Sequence, residues 1–311
     1  SPGNDMASTT LVVLAAGIGS RYGGLKQVDP VGPNGEIVLD YSLFDAWRAG
    51  FNHVTMVIRP ELEAPLRARF SDVLEGRMTV DYVHQELSAL PDAFEPPPSR
   101  QKPWGTGHAV WCAAENVRTP FGVINADDFY GLTCYRRLHH FLVDTPVTET
   151  RPAFAMVGFE LAKTLSPHGH VARGICHPDE KGYLERVVEH TGINADTDGN
   201  GRFHDAAGQE RVLPGDTTVS MNIWGLTPRI FPELDTQLRA FLRERGQDDK
   251  AEFFLPTAID RMIQRGDCRV KILPTDDRWF GVTYQEDKAA VKEGLQALIE
   301  AGRYPRDLWA E

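Results

Sequence analysis

The sequence predicts an α/β protein built on a mostly parallel sheet flanked by helices, and three observations carry that prediction. Short apolar runs alternate with amphipathic segments through the first half of the chain, the spacing of successive βαβ units. The first run, Leu11 to Leu14, is continuously apolar, as a strand covered on both faces must be. It leads straight into a glycine-rich loop, and parallel sheets hold their ligands at the carboxyl ends of the strands.

The elements follow in order. An amphipathic helix is expected over Leu39–Ala49, a strand over His53–Ile58, a helix near Glu61–Phe70 and a strand over Thr79–His84. Pro91 to Pro103 is polar, proline-rich and too long for a routine connection. A helix over Gly107–Asn116 and a fourth strand, Phe121–Asn125, complete this series, and the strand ends at the acidic pair Asp127 and Asp128. The second half is strand-rich, with runs at Ala153–Glu160, Val171–Cys176, Tyr183–Val188 and Thr218–Trp224 before helices near Arg229–Arg245 and Glu252–Gln264. Asn194 to Gly215, rich in Asp, Gly and Asn, reads as an exposed hairpin or loop, and a helix from about Gln285 to Ala301 closes the chain. There is no hexapeptide periodicity, which excludes a trailing β-helix.

Composition narrows the function classes. With 311 residues and 41% hydrophobic composition the chain can bury the core of one large domain or two smaller ones. A net charge of −11 argues against a nucleic-acid binder, which needs a basic face, so an anionic substrate must meet a local cationic pocket. Cys112, Cys134, Cys176 and Cys268 are scattered without a C-x-x-C pair; neither a zinc site nor a disulfide framework is expected, and free thiols fit the cytoplasm. No apolar run reaches the length of a membrane span or a signal core. Residues 1–8, with SPGND ahead of Met6, are read as a tag or disordered start and set aside.

The most informative stretch is LVVLAAGIGSRYGGLKQ, residues 11 to 27. Gly17, Gly19, Gly23 and Gly24 allow positive φ and close approach, so that peptide N–H groups can point at anionic oxygens, while Arg21 and Lys26 add mobile positive charge. That suits a polyphosphate. A dinucleotide fingerprint fails because Tyr22 stands where its third glycine belongs, and a Walker A loop fails because Gly24 is followed by Leu25 rather than lysine. Asp127, at a strand end beside this loop, is placed to offer a hard carboxylate to magnesium.

LAAGIGSRYGGLKQ resembles the signature loop of sugar-1-phosphate nucleotidyltransferases, and further motifs resemble that family in order along residues 11 to 226. The resemblance implies a Rossmann-like, nucleotide-diphospho-sugar transferase type of sheet in a single domain over 9–311: a nucleotide-binding half (9–150), a sugar-binding half (151–284) and a C-terminal helix (285–311). It implies Mg2+ as cofactor, held by Asp127 in NADDFYG, and Arg21 and Lys26 as the triphosphate-binding catalytic cations. Nucleotide contacts fall on Ala15, Ala16, Gly17, Gly19 and Ser20, on Gln85 in YVHQ as a reader of a pyrimidine edge, and on Gly105 and Thr106 in KPWGTGHAV, which departs from the family at Gly107. Sugar-phosphate contacts fall on Gly174 in RGIC, Glu189 and His190 in ERVVEH and Asn222 in MNIWGL.

Two departures stand out. The acceptor-phosphate lysine falls on His190, and the second metal aspartate falls on Gly281 in WFGVTY, with Asp276 and Asp277 as candidate substitutes. The expected partners are a nucleoside triphosphate and a sugar 1-phosphate, not nucleic acid or membrane, and a homo-oligomer is compatible with the chain. Two other readings stay open: a non-sugar acceptor of the choline- or polyol-phosphate type, and a catalytically silent sugar-nucleotide-binding regulatory domain. His168, His170 and His177 read as solvated loop imidazoles, not as metal ligands.

Overall fold

The computed structural model describes residues 8–17, 29–146 and 150–310. Its first half is a parallel βα series: β1 (Thr10–Leu14), α1 (Val38–Ala49), β2 (His53–Ile58), α2 (Glu63–Leu74), β3 (Thr79–His84), α3 (Thr106–Cys112), β4 (Phe121–Asn125) and α4 (Leu132–Asp144). The second half holds β5 (Ala153–Glu160), β6 (Val171–Pro178), β7 (Leu184–Ala195), β8 (Gly201–His204), β9 (Glu210–Leu213), β10 (Thr218–Leu226), α5 (Ile230–Arg245), α6 (Leu255–Arg265), β11 (Arg269–Leu273) and α7 (Lys288–Glu300).

One mixed sheet runs through both halves in the order β3-β2-β1-β4-β10-β6-β7-β8-β9, with β5 pairing β10 and β11. The β3-β2-β1-β4 block is parallel throughout, and β10 joins it antiparallel to β4. Because side chains alternate along a strand, Leu11 and Val13 enter one core with α1, α2 and α4, while Val12 enters the other with α3, α5 and α6. A third cluster packs α7 and Tyr304 against Tyr41, Phe129 and Phe280.

Two elements, the helix α4 and the edge strand β11, are additional, and the stretch 194–215, expected as an exposed hairpin or loop, holds the β8–β9 hairpin. The proline-rich connection is fastened by Arg100, which donates to Lys102 O, Pro103 O and Asp248 O at 2.8–2.9 Å and lies over the Trp104 ring. No helix among the described residues is long and apolar enough to cross a membrane.

Candidate active site

The site begins where two strands end. Leu14 pairs with Asn125, and Ala126 N–H donates to Leu14 O at 3.1 Å, so the start of the glycine loop lies beside the acidic pair. Ala15 N–H donates to Val57 O at 2.8 Å and Arg59 Nε donates to Ala16 O at 2.7 Å, which fixes the exit from β1. A Cβ on Gly17 would meet nothing within 4 Å among the described residues. Gly19, Ser20, Arg21 and Lys26 lie outside the described residues.

A cavity of about 260 Å³ opens at this edge, and its wall brings together Asp127, Gly174, Glu189 and Asn222. These come from four segments separated by up to 95 positions, joined only by the fold. Asp127 is exposed and Asp128 half-buried. Asp128 Oδ2 accepts from Asn125 Nδ2 at 3.1 Å and lies 3.3 Å from the Tyr130 hydroxyl, which donates to Met221 O at 2.7 Å. Tyr130 thus ties the acidic turn to β10. Burial, with Asp127 beside it, pushes the Asp128 carboxyl up to about 8, against the lowering influence of Asn125, Arg173 and Tyr130.

Asn222 owes its position to a break in β10. The register of β10 against β5 shifts between Ser220 and Trp224, and Asn222 adopts φ 60°, a left-handed conformation that asparagine tolerates better than most residues. Such backbone outliers concentrate at functional sites, where they re-aim a side chain. Its Oδ1 accepts from Trp224 Nε1 at 3.4 Å, which leaves the amide nitrogen for a ligand. Gly174 pairs with Glu189 across β6 and β7, and a Cβ on Gly174 would lie 3.6 Å from Glu189 Oε2; the missing side chain keeps space before that carboxylate. The Glu189 side chain reaches solvent on the cavity side, yet the surrounding wall raises its pKa, with burial the main cause, Arg173 opposing and Glu252 adding.

Two more residues complete the wall: Arg173, which the sequence offers with Arg186 as the alternative to His190 for the acceptor phosphate, and Trp279, read there as a core or pocket-wall aromatic. Arg173 is 8% exposed, held by donation to Thr164 Oγ1 at 3.2 Å, Thr164 O at 2.5 Å and Ala172 O at 2.7 Å, with its guanidinium 5.2 Å from the Trp279 ring centre. The buried Nε1 of Trp279 makes no hydrogen bond among the described residues. The segment carrying it is locked to the acidic turn by paired backbone bonds between Phe129 and Phe280, at 2.8 and 3.0 Å.

Several expected positions are not among the residues that line this cavity. His190 does not line the cavity: it pairs with Arg173 across β6 and β7, and its ring packs edge-on against Phe203 at 4.7 Å, with burial lowering its pKa. Neither Asp276 nor Asp277 lines the cavity, and Asp277 Oδ2 instead accepts from Thr133 N–H at 2.6 Å at the start of α4. Gly281 is glycine for a packing reason, since a Cβ there would lie 2.2 Å from Trp279 Cζ2 and 3.1 Å from Asp128 Oδ1.

Gln85, Gly105 and Thr106 form a second group, away from the wall of this cavity. Gln85 Nε2 donates to Gly105 O at 3.2 Å, and Thr106 Oγ1 accepts from Leu255 N–H at 2.9 Å. Gly105 requires glycine, at φ 108° with Phe253 O 2.6 Å from its absent Cβ. Gly107, the departure from the family motif, has the same cause: a Cβ would lie 2.7 Å from the Phe253 ring.

Among the described residues no cluster of three or more His, Cys, Asp or Glu is arranged to hold a metal. The exposed Asp127 places a hard carboxylate on the cavity wall, a donor that suits magnesium, which takes one or two carboxylates and completes its shell with water and substrate phosphate.

No family model and no curated protein sequence matches the chain. Solved structures do. A UDP-glucose pyrophosphorylase with UDP-glucose bound aligns at a TM-score of 0.59 and 16% identity, over 94% of this chain and 99% of that one. A protein from Bacillus anthracis assigned as a glucose-1-phosphate thymidylyltransferase, with sucrose bound, aligns at 0.56 and 11% identity, over 92% and 96%. The fold is that of the nucleotide-diphospho-sugar transferases, a mixed α/β sheet flanked by helices.

Proposed function

We propose that this protein is a magnesium-dependent nucleotidyltransferase that joins a nucleoside triphosphate to a sugar 1-phosphate, forming an NDP-sugar and pyrophosphate. The supporting observation is the cavity at the carboxyl end of β4, where Asp127, Gly174, Glu189 and Asn222 meet although nothing in the sequence makes them neighbours. A phosphate oxygen of the acceptor attacks the α-phosphorus in line, a new P–O bond forms, and the bond to the β,γ-pyrophosphate breaks. The nucleophile is already anionic, so the protein contributes positioning and charge stabilisation. Magnesium, when bound, would neutralise charge on the reacting phosphates, with Asp127 as its protein ligand.

Arg21 and Lys26 hold the triphosphate and the departing pyrophosphate. Ala15, Ala16, Gly17, Gly19 and Ser20 line the nucleotide, and Gln85 with the Gly105–Thr106 turn reads a pyrimidine base. Glu189 accepts from a sugar hydroxyl, Asn222 donates to another oxygen, and Gly174 leaves the ring room. Paired hydroxyl contacts favour a sugar over a choline-type acceptor. Arg173 replaces His190 as the cation for the acceptor phosphate, because it is the one that reaches the cavity. Four free cysteines fit a reducing compartment, and we place the reaction in the cytoplasm.

The test is pyrophosphate release over a grid of nucleoside triphosphates and sugar 1-phosphates, with Asp127→Asn and Lys26→Ala as controls. Each substitution is expected to lower kcat about a hundredfold to a thousandfold while the fold is retained, the scale of losing one preorganised charge contact. No release with any pair would overturn the reading.

A further inference from the structure

We propose that His108, buried in α3, is a positioning residue that locks the amide of Gln85 so that only its carbonyl oxygen faces the nucleotide base, selecting among the pyrimidines those that carry N3–H, uracil and thymine, against cytosine. The inference rests on the nucleotidyltransferase reading above and deepens it.

The argument starts at a backbone carbonyl. His108 is fully buried, its ring stacked on Trp111, and Nε2 lies 2.5 Å from Ala89 O. A carbonyl oxygen can only accept, so Nε2 carries the proton. A neutral imidazole has one proton; Nδ1 therefore presents a lone pair. That lone pair lies 3.0 Å from the Gln85 side-chain amide, and the same amide atom lies 3.2 Å from Gly105 O. Both neighbours accept, so the atom between them must be the amide nitrogen, with its two hydrogens used on the two acceptors. Burial, helped by Arg100, lowers the His108 pKa to about 4, which keeps the ring neutral and the relay in one state at neutral pH.

The consequence falls on the other end of the amide. A glutamine free to turn offers a base either a donor or an acceptor; this one offers Oε1 alone. Gln85 is 8% exposed, and Oε1 accepts no hydrogen bond among the described residues. Uracil and thymine present N3–H to such an acceptor, whereas cytosine presents a lone pair at N3 and is repelled. Trp104 Nε1 donates to Leu87 O at 3.0 Å, so the strand end and the α3 turn are pinned together at three points and the amide is held within a rigid frame.

The experiment compares UTP and CTP in steady state with the sugar 1-phosphate the enzyme accepts best, for wild type and His108→Phe. Wild type is expected to favour UTP about ten- to hundredfold in kcat/KM, the scale of one base-edge contact. In His108→Phe the amide can turn, and the ratio is expected to fall about tenfold, through the KM for UTP rather than through kcat. A merely structural role would weaken both nucleotides alike. An unchanged ratio in a folded His108→Phe overturns the inference, as does a wild type that prefers CTP. Absence of turnover with every nucleotide removes the functional reading and the specificity with it. Histidine ring ¹⁵N spectra of the wild-type protein give an arm independent of turnover and of the variant's folding: the Nε2-protonated ring is expected between pH 5 and pH 8. A His108 ring protonated on Nδ1 would require Gln85 to turn its oxygen inward and would overturn the inference on its own.

Discussion

Gly281 stands where the family motif has a metal-binding aspartate, and restoring that aspartate should harm the protein. A Cβ at 281 would lie 2.2 and 2.4 Å from two atoms of the Trp279 ring, so the ring must move by more than an ångström. Trp279 is 9% exposed and carries Arg173 over its face, so the displacement spreads into the cavity wall. Overpacking of this kind costs about 1–3 kcal/mol, and Gly281→Ala should show that loss alone. Gly281→Asp adds a carboxylate near Asp128 Oδ1, itself 3.1 Å from the Cβ position. At pH 9, above the raised pKa of Asp128, two ionised carboxylates about 4 Å apart repel by up to about 4 kcal/mol at an effective dielectric of 20. Urea unfolding of wild type and both variants at pH 9, with and without millimolar magnesium, separates the two contributions. Gly281→Asp should be less stable than Gly281→Ala without magnesium and approach it when magnesium is present. Wild-type stability in Gly281→Ala would refute the packing argument, and identical stability of the two variants without magnesium would refute the placement of Asp128.

Three further outcomes are expected. Gly107→Ala restores the residue familiar in the family motif but drives a methyl to 2.7 Å from the Phe253 ring, and thermal unfolding should show a loss of about 1–3 kcal/mol; an unchanged Tm would contradict the packing. Asp45 is fully buried between Arg48 and Tyr304, and burial raises its pKa to about 6 despite both partners, with Asp277 adding to the rise. Because the folded pKa lies above the unfolded one, its contribution is complete below about pH 4 and lost as pH rises through about 6, on the order of 3 kcal/mol in all. His108, with its pKa lowered, acts in the opposite sense, losing stability as pH falls below about 6.5 toward 4. Asp45→Asn should therefore make stability climb more steeply from pH 4 to pH 6.5 than in wild type, and parallel profiles would refute the assignment. Arg173→Gln should raise the KM for the sugar phosphate about ten- to hundredfold, the scale of a hydrogen-bonded charge, while His190→Gln changes it less than about twofold. The reverse order would return the acceptor phosphate to His190.

The inner strands of the parallel half were legible because they are covered on both faces and read as plain apolar runs: His53–Ile58 and Phe121–Asn125 stand where the residues indicate, and so does the half-buried edge strand Thr79–His84. The edge strand β11, Arg269–Leu273, alternates charged and apolar residues over only five positions, and α4 starts with Gly131 as its cap rather than a polar one; both escaped pattern reading. The sequence by itself determined the chemistry on offer: a cationic glycine loop, a carboxylate at a strand end, and a glycine, a glutamate and an asparagine on later strands. Tertiary structure alone decided which of these meet. Pairing of β6 with β7 brought Gly174 and Glu189 together at the cavity while packing drew His190 to Phe203, a β10 break re-aimed Asn222, and the Phe129–Phe280 bridge set Gly281 against Asp128. A motif fixes spacing along the chain, but the face a side chain takes depends on pleat, register and bulges, which are set by long-range pairing with other strands.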